Sequence, residues 1–306
     1  MHVIVGAGAV GSGIARQLAE AGEQVRLITR SGSGPVDPRI ERVAANASDA
    51  AALTRLSRDA VAIYNCANPP YHTWPTDWPP MAEALLAAAE ASGAPLAITG
   101  NLYVYGPVNR PMTEDMPLAT PTVKGRVRIK MWEDAVAAYR SGRISGVTEV
   151  RGSDYISPRY SVIELAMPGL RAGKTIWLPG PLDNPHTFTY TGDMAAALIA
   201  LARDPRAWGQ AWHVPSPAPM TLRQVVTKLA EVGGFPLPRL RSYPKTAIRA
   251  AGLFDRRTRE FVEMSYQWDR PFVLDSTRTE ATFGLSATNV DDAIRASMPE
   301  PDPIAA

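Results

Sequence analysis

Six residues near the N-terminus, Gly6-Ala7-Gly8-Ala9-Val10-Gly11, have the types and spacing of an anion cradle. In a G-x-G-x-x-G run the first glycine permits a tight turn and the second lets backbone approach a pyrophosphate. The third lets the following helix pack closely on the preceding strand. Here the run follows the short strand-like segment His2–Val5 and opens a helix-like one in which Ile14 and Leu18 share a face. A helix N-terminus in that place offers free N–H groups and a positive dipole end to phosphate. Gly6, Gly8, Ala9, Val10 and Gly11 are therefore expected to bind a dinucleotide. The next strand ends Thr29-Arg30-Ser31, with no carboxylate to accept from a ribose 2′-hydroxyl. Arg30 has three readings: a charge-assisted fork onto a 2′-phosphate, with Thr29 and Ser31 adding hydroxyls; a stack on adenine; or simple exposure. The first makes NADP(H) the expected cofactor, with NAD(H) the alternative.

A second group of residues speaks for a substrate. The segment Asn68–Pro80, NPPYHTWPTDWPP, reads as a proline-stiffened loop just past the fourth strand. Ligands bind at the carboxyl ends of strands in open α/β sheets. Tyr71, Trp74 and Trp78 there form either a wall for a flat or apolar small molecule, or an aromatic plug or dimer surface.

These residues need a frame. Strand-like segments at His2–Val5, Gln24–Thr29, Ile40–Ala44, Ala60–Asn65, Leu96–Thr99 and Ile144–Val150 alternate with helical ones at Ala9–Ala21, Met81–Ala91 and Lys124–Arg140. That alternation predicts an α/β fold with a Rossmann-type, doubly wound parallel sheet. The link from Thr29 to Ile40 holds Gly32, Gly34, Pro35 and Pro38 and leaves no room for a full crossover helix. Residues 1–158 are expected to form the dinucleotide-binding core. Residues 159–298 form a smaller C-terminal substrate lobe, some segments of which return to the core, with helices at Gly192–Ala202, Thr221–Val232, within Pro244–Tyr266 and at Val290–Ala296. Residues 299–306 read as a flexible tail.

Composition bounds the rest. The 306-residue chain is 45% hydrophobic and 20% charged with a formal charge of +2, and has no block of like charge to meet nucleic acid. No run approaches the ~18 apolar residues of a membrane span. Four histidines and the single Cys66 give no basis for a protein-built zinc site or a disulfide framework, which makes a reducing cytoplasm the expected location.

Taken in order, the loop GAGAVG, the strand end YNCAN (Tyr64–Asn68), NLYVYG (Asn101–Gly106), TEDMP (Thr113–Pro117), RGSDYISP (Arg151–Pro158), TFTYTGDMAAAL (Thr187–Leu198) and FVLDSTRTEATFGL (Phe272–Leu285) resemble the extended short-chain dehydrogenase/reductase superfamily, in its NAD-dependent epimerase/dehydratase group. The resemblance runs from residue 1 to about 290. It implies a small-molecule substrate, a homodimer packed through the two helices beside the site, and cofactor contacts from Asn46, Ala47, Ala67, Asn68, Lys124 and Asp154. Family chemistry needs a Ser or Thr, a Tyr, and a Lys four residues after the Tyr. Aligned on that pattern, this chain has Asn101 at the Ser position, Lys124 at the Tyr position and Arg128 at the Lys position, so it resembles an atypical member.

Tyr103 is the first candidate to replace the missing proton donor and Lys124 the second, since a lysine beside an oxidised nicotinamide loses its proton more readily. Arg128 keeps its proton and can only bind ribose hydroxyls or an anion. Asn101 can donate an amide hydrogen to a substrate oxygen. Tyr71, Trp74, Tyr105, Tyr155 and His186 are the expected substrate contacts. Each has a plainer reading: Tyr103 and Tyr105 as packing, Lys124 as a solvated first-turn residue, Asn101 as a turn cap, His186 as structural. The expected function is an NADP(H)-dependent oxidoreductase acting on a carbonyl or alcohol with a non-standard site. The alternatives are an epimerase or dehydratase that recycles its cofactor, and an inactive NADP-binding sensor.

Overall fold

The computed structural model describes residues 1–299, so the expected tail falls almost wholly outside the described residues. The chain runs β1 (His2–Val5), α1 (Ala9–Glu20), β2 (Val25–Thr29), β3 (Ile40–Ala44), α2 (Ala50–Leu56), β4 (Ala62–Asn65), α3 (Trp74–Ser92), β5 (Leu96–Asn101), α4 (Val123–Arg140) and β6 (Val147–Gly152). It continues through β7 (Asp154–Ile156), α5 (Val162–Arg171), β8 (Ile176–Pro179), β9 (Phe188–Tyr190), α6 (Thr191–Ala202), β10 (Gln210–His213) and α7 (Leu222–Gly233). The last elements are β11 (Leu240–Tyr243), α8 (Lys245–Phe254), α9 (Arg256–Met264), α10 (Tyr266–Asp269), α11 (Thr277–Phe283) and α12 (Val290–Ser297).

Seven strands form one parallel sheet in the order β10-β6-β5-β4-β1-β2-β3. β1 and β4 are buried along their whole length, as a central parallel strand covered on both faces must be. One face packs on α1 and α6 through Ile4, Ile14, Leu18, Leu27, Tyr64 and Leu198. The other packs on α2, α3 and α4 through Val3, Val5, Leu53, Ile63, Leu85 and Val136. A separate core under α5, α7 and α12, built on Ile163, Leu178, Val226 and Ile294, belongs to the second lobe. α6 and β10 follow part of that segment in sequence but complete the main sheet and its cover.

The chain runs outward from β1 to β3 and then crosses back to β4, beside β1. That reversal opens a crevice at the carboxyl ends of β1 and β4. Because the strands are parallel, the segments after β1, β2, β3 and β4 all emerge along one rim. Gly6–Gly11, Thr29–Ser31, Asn46–Ala47 and Ala67–Asn68 therefore share it.

The expected loop at Asn68–Pro80 is a correction. Only its first part is loop, and α3 begins at Trp74. Pro75 stands in the first turn, where a missing N–H costs nothing. Pro79 and Pro80 lie inside the helix, but the carbonyls they leave unpaired belong to exposed Pro75 and Thr76, where water takes them. Trp74 and Trp78, four apart, then bury on one face.

Candidate active site

The phosphate loop is held by contacts that exclude a side chain. Gly6, at φ +104°, would place a Cβ 2.5 Å from the Cys66 carbonyl oxygen, and a Cβ on Gly11 would lie 1.9 Å from the Gly6 oxygen. Gly8 differs: a Cβ there meets nothing within 4 Å. Gly8 is also the N-cap of α1 and brings no side chain to it, so the first-turn N–H groups of Ala9, Val10 and Gly11 are left for an external acceptor. Close packing at Gly6 and Gly11 with open space at Gly8 fits a pyrophosphate. Cys66, behind the loop, is inert packing: burial pushes its thiol up to about 12.

At the end of β2, Arg30 is exposed and makes no side-chain hydrogen bond or ion pair among the described residues. Thr29 and Ser31 bond to Ser33, which folds the Gly32–Gly34 turn back towards the rim. Arg42 of β3, which sequence reasoning passed over, donates to the Gly34 carbonyl at 3.5 Å and puts a second guanidinium there. Asn46 accepts from Ser48 N–H at 3.0 Å and Ala67 N–H donates to Asn65 at 3.3 Å, so each loop carries a local side-chain turn.

Beyond the loop, β5 ends at Asn101, whose side chain accepts from Tyr103 N–H at 3.1 Å. Its oxygen thus caps the turn, while its amide hydrogens stay available. The turn sends Tyr103 and Tyr105 opposite ways, which corrects the placing of Tyr105 against substrate. Tyr105 is buried, and its hydroxyl bridges Arg151 Nη1 and His213 Nε2, each at 2.8 Å. The Asp275 carbonyl can only accept from His213 Nδ1, at 2.8 Å. The neutral ring therefore carries its proton on Nδ1 and accepts from Tyr105 at Nε2.

Tyr103 faces the cleft side, where its hydroxyl lies 2.6 Å from that of Tyr71. Burial raises both phenols, Tyr103 well above its ordinary value. Tyr71 and Asp154 push Tyr103 further up; Asp154 raises Tyr71 as well, but the Tyr103 hydrogen bond and the Arg128 charge hold it back. Tyr71 is the more acidic of the two.

α4 comes close because Gly125 lacks a Cβ, which would stand 2.5 Å from the Tyr103 carbonyl oxygen. Thr122 caps the helix and Lys124 and Arg128 follow on its buried face. Lys124 Nζ lies 5.4 Å from the centre of the Tyr71 ring and is paired with both Glu260 and Glu263 of α9. It is not solvated. The two carboxylates were missed at the sequence level, although their i,i+3 spacing puts them on one helix face.

Arg128 is a further correction. Its guanidinium is buried between the rings of Trp74 and Trp78, at 5.1 and 4.7 Å, and Nη1 donates to the Thr99 carbonyl at 3.1 Å. Burial lowers its pKa. It is structural filling beneath the cleft, as is Trp74, which at 1% exposed presents no wall to a substrate. Asp154 and His186, expected in separate roles, hydrogen-bond to each other at 2.8 Å. His186 is buried and stacks on Trp268 at 4.2 Å, and Tyr155 is half-buried beside the main core.

A parallel sheet with a glycine loop at its switch point and a cluster of hydroxyls, amide and cations beside it defines a Rossmann-type dinucleotide-binding enzyme. The NAD dependent epimerase/dehydratase family model matches residues 2–214, and the chain belongs to that family. The fold is that of UDP-glucose 4-epimerase from Thermotoga maritima, solved with UDP-glucose (15% identity, 97% of each chain, TM-score 0.78). It is also that of the dTDP-glucose 4,6-dehydratase DesIV from Streptomyces venezuelae, solved with NAD and TYD (20% identity, 97% of this chain and 96% of that one, TM-score 0.75). UDP-glucuronic acid 4-epimerase from Bacillus cereus, solved with its substrate and NAD, is similar again (15% identity, 97% and 98%, TM-score 0.75). No curated protein sequence matches the chain significantly. Among the described residues no helix is long and apolar enough to cross a membrane. The outward faces of α3 and α4 carry Pro79, Pro80, Glu83, Arg126, Lys130 and Asp134, so the expected homodimer would have to bury a largely charged surface there.

Two predictions arise. Gly8→Ala should leave the melting temperature unchanged but weaken dinucleotide binding, whereas Gly11→Ala should also cost roughly 1–3 kcal/mol of stability. Equal melting temperatures in the two variants would refute the packing role of Gly11. Burial holds His213 down to about 4. Its folded pKa lies below the unfolded ~6.5, so stability is full above pH 6.5 and is lost as pH falls towards 4, by roughly 3 kcal/mol. Urea midpoints should drop more steeply over that window in the wild type than in His213→Gln, and equal slopes would show that His213 takes up its proton normally in the native state.

Proposed function

We propose that the protein is an NADP(H)-dependent oxidoreductase that interconverts a carbonyl and an alcohol on a small molecule, with the Tyr71–Tyr103 hydroxyl pair in place of the family's tyrosine. The observation that carries this reading is the 2.6 Å contact between the two hydroxyls beside Lys124 and Asn101. Bound nicotinamide supplies or accepts the hydride. The chain's own residues do the rest. The Gly6–Gly11 loop and the α1 N-terminus hold the pyrophosphate, and Arg30, with Thr29, Ser31 and Arg42, receives the 2′-phosphate. Asn101 donates its amide hydrogen to the substrate oxygen.

In reduction the Tyr71 hydroxyl accepts from Tyr103 and passes its own proton to that oxygen as the hydride arrives at carbon. Oxidation reverses both transfers. The hydrogen bond from Tyr103 and the Arg128 charge favour the phenolate that the transfer leaves behind. Family membership favours a second reading, an epimerase or dehydratase in which the hydride returns to the same molecule. The nucleotide sugars in the named relatives are its first substrates to try.

A carbonyl panel with NADPH separates the two. Consumption of one nicotinamide per product supports the oxidoreductase, while product formed without net consumption supports the second reading. Tyr71→Phe should lower kcat by about 10²–10⁴-fold with NADPH binding kept. Unchanged kcat would remove the tyrosine pair from the chemistry. Arg30→Ala should weaken NADPH binding by about 10–100-fold and leave NADH alone, and equal losses for both would reassign Arg30 to the adenine.

A further inference from the structure

The β10 edge of the sheet holds a second polar pocket. It lies four strand positions from β1, or roughly 19 Å at sheet spacing. Its volume is about 220 Å³, and it opens between α4, the Glu114–Leu118 segment and the start of β10. Arg151 and Arg278 line it together with Glu114, and Trp132, Met116 and Leu118 give it an apolar side.

Arg151 is the unusual member. Its side chain is 1% exposed. Nε donates to Glu149 at 2.7 Å and Nη1 to the Tyr105 hydroxyl at 2.8 Å, while the guanidinium lies 6.0 Å from the centre of the Trp132 ring. Among the described residues, Nη2 is buried with no hydrogen-bond partner. An orphaned donor on a buried guanidinium is costly, and an acceptor bound in the adjoining cavity would relieve that cost. Arg278 is exposed on α11 at the same pocket, bonded to Gln210 and lying 4.1 Å over the Trp212 ring. Two guanidinium forks at one polar cavity point to an acceptor with planar geometry.

Charge narrows the class. Glu149 already compensates Arg151. Glu114, tied to His213 N–H at 3.2 Å and the Thr279 hydroxyl at 3.1 Å, adds a fixed negative charge to the wall. Such a pocket tolerates one negative charge and disfavours a phosphate dianion. We infer that it binds a small monocarboxylate. The carboxylate accepts from Arg151 Nη2 and Arg278, and a short aliphatic or aromatic body rests on Trp132, Met116 and Leu118. The dinucleotide cleft plays no part in this site.

Titration calorimetry with sodium benzoate, at ionic strength fixed with chloride and run with and without saturating NADP⁺, tests it. One saturable site per chain is expected, with the same affinity in both conditions. Inorganic phosphate should bind at least tenfold more weakly. Arg278→Ala, on the exposed rim, should weaken benzoate by about tenfold or more. Ala211→Leu, which fills the pocket from β10, should abolish binding with the melting temperature retained. The absence of saturable binding, equal affinity in Arg278→Ala, displacement by NADP⁺, or phosphate binding as tightly as benzoate would each overturn the proposal.

Discussion

The contact on which the structure depends is the backbone packing at Gly6, Cys66 and Gly11. β1 and β4 can be neighbours with their carboxyl ends open only if the turn after β1 lies flat against the chain leaving β4. The Gly6 position, 2.5 Å from the Cys66 oxygen to any Cβ, shows how little room that leaves. α1 must then start within reach of the same turn, which removes the Cβ from residue 11 as well. Close packing in two places forces the helix N-terminus to point into the crevice. The position left open, at Gly8, leaves room for an acceptor to approach it. The same constraint sets the rim at which Arg30 and Arg42 lie, because β2 pairs in parallel with the strand that feeds the loop and β3 pairs in parallel with β2.

A different logic governs the other side of the crevice. Lys124 and Arg128, the expected counterparts of the family's Tyr and Lys, are two cations one turn apart on α4. A buried guanidinium is expensive unless its charge is balanced. Here the balance comes from the faces of Trp74 and Trp78, each contributing up to about 2 kcal/mol when desolvated, and from the Thr99 carbonyl. Lys124 is balanced by Glu260 and Glu263, which tie α9 of the second lobe to α4 of the first. The tryptophans of α3 and the carboxylates of α9 are arranged around these two cations. The aromatic segment before the helix, read as a substrate wall, is in good part the seat of Arg128.

What could be read from the sequence follows from how local each cause is. The glycine loop, its strand and its helix are fixed within about twenty residues, and the parallel sheet follows from alternation alone. α3 was misread because three prolines outweigh period in a local reading, although Trp74 and Trp78 four apart already carried the helical signal. Tyr103 and Tyr105 look equivalent in NLYVYG, but a short helical turn after Asn101 sends one to the crevice and one to His213. Nothing within five residues encodes that choice. Glu260 and Glu263 lie 136 and 139 residues from Lys124. A partner at that range is invisible without the fold.

The tyrosine pair shows why position alone does not assign a proton donor. A phenol acts as an acid only when its surroundings favour the phenolate, and burial does the opposite. In the usual arrangement a lysine supplies the compensating charge. In this chain two buried hydroxyls share one hydrogen bond, and their surroundings separate them. Burial raises both, and Asp154 adds to each; the contact with Tyr71 pushes Tyr103 further, while the same hydrogen bond and then Arg128 hold Tyr71 back. The asymmetry orients the pair: the weaker acid donates and the stronger one is left with a free proton on the exposed side. In the proposed reaction that free proton is the one passed to the substrate oxygen.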